Sequence, residues 1–556
     1  MATGFDKLMS TTPSPAMGKV RVGEPTPPAA GKKGVTIRAA VFFDGTKNNR
    51  ANTLKRRTDK SILQVKDKDG GSSYGNYYSN PAIHEFMNKR NNPLKHEVSH
   101  YVEGIGTRDF KKDATKEVEV PVLVKTGVAP NGEDLVTWER KKVNVPLTRE
   151  ENGQDDTYGN GFGAGPTGIV EKVDSGIKQL RIKIKNAYTK EEYIEKIIFD
   201  VFGFSRGAAA ARHFISRRDE LLKGPNLRPW PGPRAPELVI NFVGLYDTVS
   251  SYAKGYGDGT SLAGGIYVDG TNTDTIFCND VKELGLNMGG IPKRVIHLTA
   301  ADEHRQNFSL TNINSSLKAG VGFEMRLPGV HSDIGGSYVE AGQGALNIER
   351  RVTTSRAERQ QLVDEGWYTP NQFVQGALPN LVERHPVTVF GHTFRTPQSG
   401  PDELAWYGVR SLTTDYQFIT LKIMHEFATC GGKHECLVLA TFDEADFANY
   451  KIPPALSRLG RYFCEEAEKR QGSHKCEVVP CPTPADTKWL RNHYLHRSAK
   501  QAGDGGYFDR IGMDARADTI KGKLHTERLI IPDDDLNFVP PSLRGMAEAK
   551  GGYHGY

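Results

Sequence analysis

Apolar residues in this 556-residue chain gather into short blocks separated by polar, glycine-rich stretches. Residues 35–43, 197–202, 238–246, 294–300 and 323–327 are near-continuous apolar runs of strand length, and 100–107 is a further strand candidate. Runs of this kind fit strands covered on both faces rather than strands with one wet side. Between them, residues 169–188 and the alanine-rich stretch from Ala208 read as helices, as do 350–366 and 416–429. Strands alternating with helices predict an α/β fold with a mostly parallel sheet and helices on both faces.

Three stretches stand outside the alternation. Residues 108–150 contain the run Val118-Glu-Val-Pro-Val-Leu-Val124, a turn at Pro130-Asn131-Gly132 and a second run at 135–145. This predicts an inserted antiparallel β excursion. The first 34 residues are rich in Pro, Thr, Gly and Lys and read as a flexible leader. Beyond about residue 430 short apolar pieces alternate with Pro, Gly and Cys-bearing loops. The division is therefore a leader at 1–34, a main α/β domain at 35–430 and a C-terminal accessory region at 431–556.

Composition narrows the classes. Charged residues make up 25% and hydrophobic ones 37%, and the net charge of +6 is small for this length. No basic run is interleaved with aromatics, so nucleic acid is not an expected partner. No apolar stretch reaches the ~18 residues of a membrane span, and the leader lacks the apolar core of a secretory signal. Six cysteines, five of them in the last third, include no C-x2-C pair, so no metal is expected.

The chemistry concentrates at Gly203-Phe204-Ser205-Arg206-Gly207, between the strand at 197–202 and the alanine-rich helix. Strand, G-x-S-x-G, helix is the layout of a nucleophile elbow, in which a tight turn exposes the serine above the sheet. A serine hydroxyl needs a histidine base, a carboxylate to orient it and donors for the oxyanion. The expected chain order is serine, acid, histidine, each at a strand end. Asp247 ends the next strand and is the first candidate acid, with Asp302 and Asp333 as alternatives. His331, in a glycine-rich loop after the last strong strand, is the candidate base; His297 lies within a strand and His304 precedes the last one. Oxyanion donors are expected at the amide of Arg206 and near Gly45 or Thr46, just after the first strand.

Other patterns carry less. Gly163-Ala-Gly-Pro-Thr-Gly168 satisfies G-x-G-x-x-G but follows no strand, so no dinucleotide is expected. Asp533-Asp534-Asp535 and Asp67-Lys-Asp-Gly70 lack calcium-loop spacing and read as solvated loops.

Five segments occur together and in order: Phe43-Asp-Gly-Thr-Lys-Asn-Asn49, Gly104-Ile-Gly-Thr107, Gly203-Phe-Ser-Arg-Gly-Ala208, Val243-Gly-Leu-Tyr-Asp-Thr-Val249 and Pro328-Gly-Val-His-Ser-Asp-Ile-Gly-Gly336. Over residues 35–430 this set resembles the α/β-hydrolase domain family that includes the first class of type VI secretion lipase effectors. The resemblance implies an antibacterial phospholipase A, A1 favoured over A2, cleaving acyl esters of glycerophospholipids with Ser205, Asp247 and His331 and no cofactor. It also implies the membrane lipid as substrate, a type VI spike protein as carrier and a cognate immunity protein. Such a cargo is made in the cytoplasm without a signal peptide and acts in the periplasm of the target cell. Competing readings are a cytoplasmic esterase or thioesterase for a soluble substrate, and a catalytically inactive hydrolase-like binding or delivery protein.

Overall fold

A computed structural model describes residues 32–67, 72–128, 134–223, 235–252, 280–305, 308–338, 347–353, 356–377, 387–389, 392–394, 404–429, 437–497, 517–518, 523–524 and 528–536. The leader up to residue 31, the turn at Pro130-Asn131-Gly132 and Cys278, Cys430 and Cys436 lie outside the described residues.

Six strands build the body of the sheet: β1 (Lys33–Phe43), β2 (Glu97–Val102), β5 (Glu192–Phe204), β6 (Glu237–Tyr246), β7 (Arg294–Ala300) and β9 (Gly322–Leu327). A seventh, Cys476–Val478, pairs in parallel with β9 at the edge. The order is Cys476–Val478, β9, β7, β6, β5, β1, β2, and every neighbouring pair is parallel. The edge strand comes from the region that the sequence assigns to an accessory C-terminal part.

Both faces are covered, which is why the strands read as unbroken apolar runs. On one face Ile197, Phe199 and Val201 of β5 pack with Val173, Ile177 and Leu180 of a helix at Ile169–Lys185. On the other, Phe202 and Phe204 join Ile419 and Met424 of a helix at Gln417–Thr429 and Phe463 of a helix at Ser457–Arg470. The period of two along β5 sends alternate side chains to separate cores.

The excursion is a single hairpin, β3 (Thr115–Val128) with β4 (Asp134–Pro146), antiparallel and, among the described residues, paired only with itself. Its described side chains are mostly solvent-facing and include the cross-strand ion pair Lys142–Glu117 at 2.9 Å. One expectation fails. Residues 350–353 belong to a strand, Asn347–Thr353, paired with Leu404–Leu412, and the helix begins only at Arg356. The β-branched Val352 and Thr353 favour strand, and long-range pairing outweighs the charged pattern that suggested helix.

The core holds two stacked imidazoles, His84 and His425, with ring centroids 6.2 Å apart. His84 Nε2 meets the Tyr246 hydroxyl at 2.8 Å, while neither Nδ1 has a hydrogen-bond partner among the described residues. Burial pushes His84 well below the usual imidazole range and His425 down to about 4. The unfolded chain therefore binds protons first as pH falls below about 6.5, and each ring costs up to ~1.4 kcal/mol per pH unit. Asp44, raised by burial to about 6, acts with the opposite sign and offsets part of this. Denaturant midpoints are expected to fall from pH 6.5 to 5, and His425→Leu should flatten that slope. A midpoint independent of pH in that window would refute the assignment.

Candidate active site

β5 runs straight into the helix at Arg206–Ser216, and Ser205 at the junction has φ 58° and ψ −131°. A non-glycine residue in that region is strained, and only its surroundings hold it there. The Ser205 amide donates to Tyr246 O at 3.0 Å, and its carbonyl accepts from Val249 at 3.3 Å. The flanking glycines are obligatory. A Cβ at Gly203 would lie 2.5 Å from Gly207 O, and one at Gly207 would lie 2.2 Å from Asp44 O. The second approach locks the elbow against the loop after β1.

Asp247 lies directly after β6 and is fully buried. Its Oδ2 accepts from His331 Nδ1 at 2.5 Å, and its Oδ1 accepts from the Ala300 amide at 2.9 Å. His331 opens a one-turn helix, His331–Gly335, whose entry loop is fixed by Asp333 accepting from the Val330 amide at 3.0 Å. The imidazole is wedged between Phe204, at 4.7 Å between ring centroids, and Phe308, edge-on at 4.9 Å. Phe204 immediately precedes Ser205, so elbow and histidine are packed together through that ring. Burial is the largest influence on His331 and lowers its pKa against the pull of Asp247. The imidazole is thus kept neutral, the form in which Nε2 can take a proton.

The alternative acids are engaged elsewhere. Asp302 accepts from the Gly329 amide at 2.8 Å and from Arg491 at 2.6 Å. Asp333 is bonded to His496 Nδ1 at 2.7 Å. His297 turns inward, between Glu324 at 2.9 Å and the Thr248 amide at 3.0 Å.

The oxyanion side differs in detail from expectation. The Gly45 amide already donates to Asp44 Oδ1 at 2.8 Å, so that donor is occupied. Asp44 in turn accepts from the hydroxyls of Ser79 and Tyr101, both at 2.5 Å, and so anchors the loop. The Thr46 amide and the Arg206 amide remain as candidate donors, the latter in the first helical turn, where no intrahelical acceptor exists. The Arg206 side chain ties the two together: Nε donates to Thr46 Oγ1 at 2.8 Å. Its other end reaches the carbonyls of Gly159 and Asn160, just before the glycine-rich loop at 163–168.

Two charged residues escaped the sequence reading. Glu303, buried, accepts from the His331 amide at 3.2 Å and pairs with Arg305 at 2.8 Å. Its position next to Asp302 at the end of β7 was the available clue. Arg528 bridges both oxygens of Asp247, at 2.6 and 2.8 Å, from far down the chain. Nothing local marks it. Asp533, read as part of a solvated loop, is instead fully buried against Arg212 at 2.8 Å.

Parallel sheet, two helical layers and a strained serine at a strand–helix elbow define an α/β-hydrolase-like fold. Residues 232–359 match the family model of the type VI secretion phospholipase effector Tle1-like catalytic domain. That segment contains Asp247 and His331 and begins after Ser205. The family that the five motifs resemble and the family whose model matches are the same. Among solved structures, the Tle1 effector bound to the VgrG spike from the type VI secretion system is 21% identical, covering 84% of this chain and 85% of that one, with a TM-score of 0.46. An uncharacterized protein from Pseudomonas aeruginosa is 16% identical over 55% of this chain and 42% of that one, with a TM-score of 0.27. No curated protein matches.

Proposed function

We propose that this chain is a phospholipase A, with A1 favoured over A2, that hydrolyses glycerophospholipid acyl esters by a Ser-His-Asp mechanism. The observation that carries the reading is the Asp247–His331 hydrogen bond of 2.5 Å, joined through the Phe204 ring, 4.7 Å from that of His331, to a serine at φ 58°. The match to phospholipase effectors over residues 232–359 supports the lipid substrate.

Ser205 Oγ attacks the acyl carbonyl while His331 Nε2 takes its proton. Asp247 accepts from Nδ1–H, fixing the tautomer and stabilising the imidazolium. The amides of Arg206 and Thr46 hold the oxyanion, each donor being worth about 3 kcal/mol in the transition state. The imidazolium then protonates the departing lysophospholipid alkoxide, and a water activated by the same nitrogen releases the fatty acid.

As a type VI effector the protein would be carried by a spike protein, act on the membrane from the periplasm of a target cell and be held in check at home by an immunity protein. The test is hydrolysis of phosphatidylethanolamine and phosphatidylglycerol vesicles against a short-chain soluble ester. Lysophospholipid release from vesicles, with the sn-1 chain lost first, is expected. A strong preference for the soluble ester would overturn the membrane reading, and loss of the sn-2 chain first would overturn A1.

A further inference from the structure

Residues 528–536 run past Asp247 as a strap. Ile530–Ile531 pairs in parallel with β8 (Leu310–Thr311), and the Leu310 amide donates to Leu529 O at 2.9 Å. Past this short pairing Asp533 enters the core. It meets Arg212 at 2.8 Å and accepts from the amide and hydroxyl of Ser315, at 2.8 and 2.5 Å. Its own amide donates to Asn312 Oδ1 at 3.1 Å. At the strap's other end Arg528 Nε donates to Phe308 O at 2.5 Å, which leaves the two terminal nitrogens aimed at Asp247. The Arg528 and Asp247 side chains are 7% and 0% exposed, so this is a desolvated fork rather than a surface pair.

We propose that Arg528 is a positioning residue of the active site, carried in by the strap, which fixes the plane of the Asp247 carboxylate and balances its charge. The inference rests on the Ser-His-Asp reading above. A planar guanidinium gripping both oxygens leaves a carboxylate little freedom to rotate, so the acceptor for His331 Nδ1–H is held in one direction. Without it, the Ala300 amide is the one restraint on the group besides the histidine among the described residues.

The charge argument is independent of the geometric one. Among the described residues, the charged groups facing His331 are Asp247 and Glu303, both anionic, and Arg305 and Arg528, both cationic, with Asp333 on its own short helix turned to His496. Two charges of each sign surround the imidazole, Asp247 the strongest influence among them. Removing Arg528 leaves a net negative surrounding that favours the imidazolium, so His331 would hold its proton to higher pH.

The test compares Arg528→Gln and Arg528→Lys with the wild-type chain, with active-site titration used to normalise kcat. The pH dependence of fluorophosphonate labelling of Ser205 reports when His331 loses its proton. For Arg528→Gln the acid limb should rise by about one pH unit. Vesicle hydrolysis should lose at least tenfold in kcat with KM within twofold. Arg528→Lys should return the acid limb to its wild-type position yet leave kcat low, because an ammonium cannot grip both oxygens. A purely structural role would lower the active fraction without moving the limb. An unmoved limb with kcat within twofold of wild type in Arg528→Gln overturns the proposal. If that variant does not fold, a wild-type kcat in Arg528→Lys overturns it. Wild-type protein that the probe fails to label would sink the Ser-His-Asp reading itself, a result separable from any effect of Arg528.

Discussion

Ser205→Ala is expected to reduce phospholipid hydrolysis by about 10⁶-fold in kcat, with residual catalysis owed to the oxyanion donors and lipid binding. The substitution removes only Oγ. Alanine carries the same Cβ as serine, so the backbone at φ 58° is no more strained than before and the fold should persist. The elbow's anchors to Tyr246 and Val249 are backbone hydrogen bonds, which the change leaves in place. Circular dichroism and the denaturation midpoint should therefore match the parent, while release of lysophospholipid from vesicles disappears. Expression directed to a bacterial periplasm should turn from toxic to harmless. An alanine variant retaining a tenth of parental activity would exclude Ser205 as the nucleophile.

Arg212→Ala is expected to cost the protein about 3–5 kcal/mol, the range for stranding one member of a buried ion pair. Both side chains of the pair are 0% exposed. Arg212 also donates to Leu286 O at 2.9 Å and Thr311 O at 3.1 Å, so truncation takes a donor from two carbonyls and leaves the Asp533 carboxylate with Ser315 but without its cation. The helix carrying Arg212 is the one that Ser205 opens, and its partner Asp533 anchors the strap. Chemical denaturation should give a lower midpoint. Arg212→Ala protein that remains folded should in addition show the raised acid limb of an enzyme whose strap has let go of Asp247. A midpoint within the error of the parent would show that the pair is not desolvated as the structure places it.

How far the sequence disclosed this depends on the distance over which each feature is encoded. The elbow was legible because its strand, its two glycines and its helix are contiguous. The strand-end residues Asp247 and His331 could be paired on paper because a parallel sheet delivers every carboxyl end to one side. Gly45 shows the limit of that logic. It sits in the loop after β1, but whether its amide is available depends on the conformation of the neighbouring Asp44 side chain, which Ser79 and Tyr101 settle from elsewhere in the chain. Arg350 and Arg351 read as helical until a strand some 60 positions away pairs with them. Asp533 and Arg528 were the least accessible. A carboxylate among three aspartates looks solvated unless its buried partner, 321 positions earlier, is already known. The cation on Asp247 lies 281 positions from it.

The strap also sets an order of events during synthesis. A ribosome delivers the Ser205 elbow, the Asp247 strand end and His331 long before it reaches Arg528, which lies far beyond His331 in the chain. The nascent polypeptide can assemble its sheet while the clamp on the acid is still unmade. Completion of this site therefore waits on a segment made well after His331, and messages truncated between the codons of His331 and Arg528 would yield chains that hold Ser205, Asp247 and His331 without the clamp on Asp247.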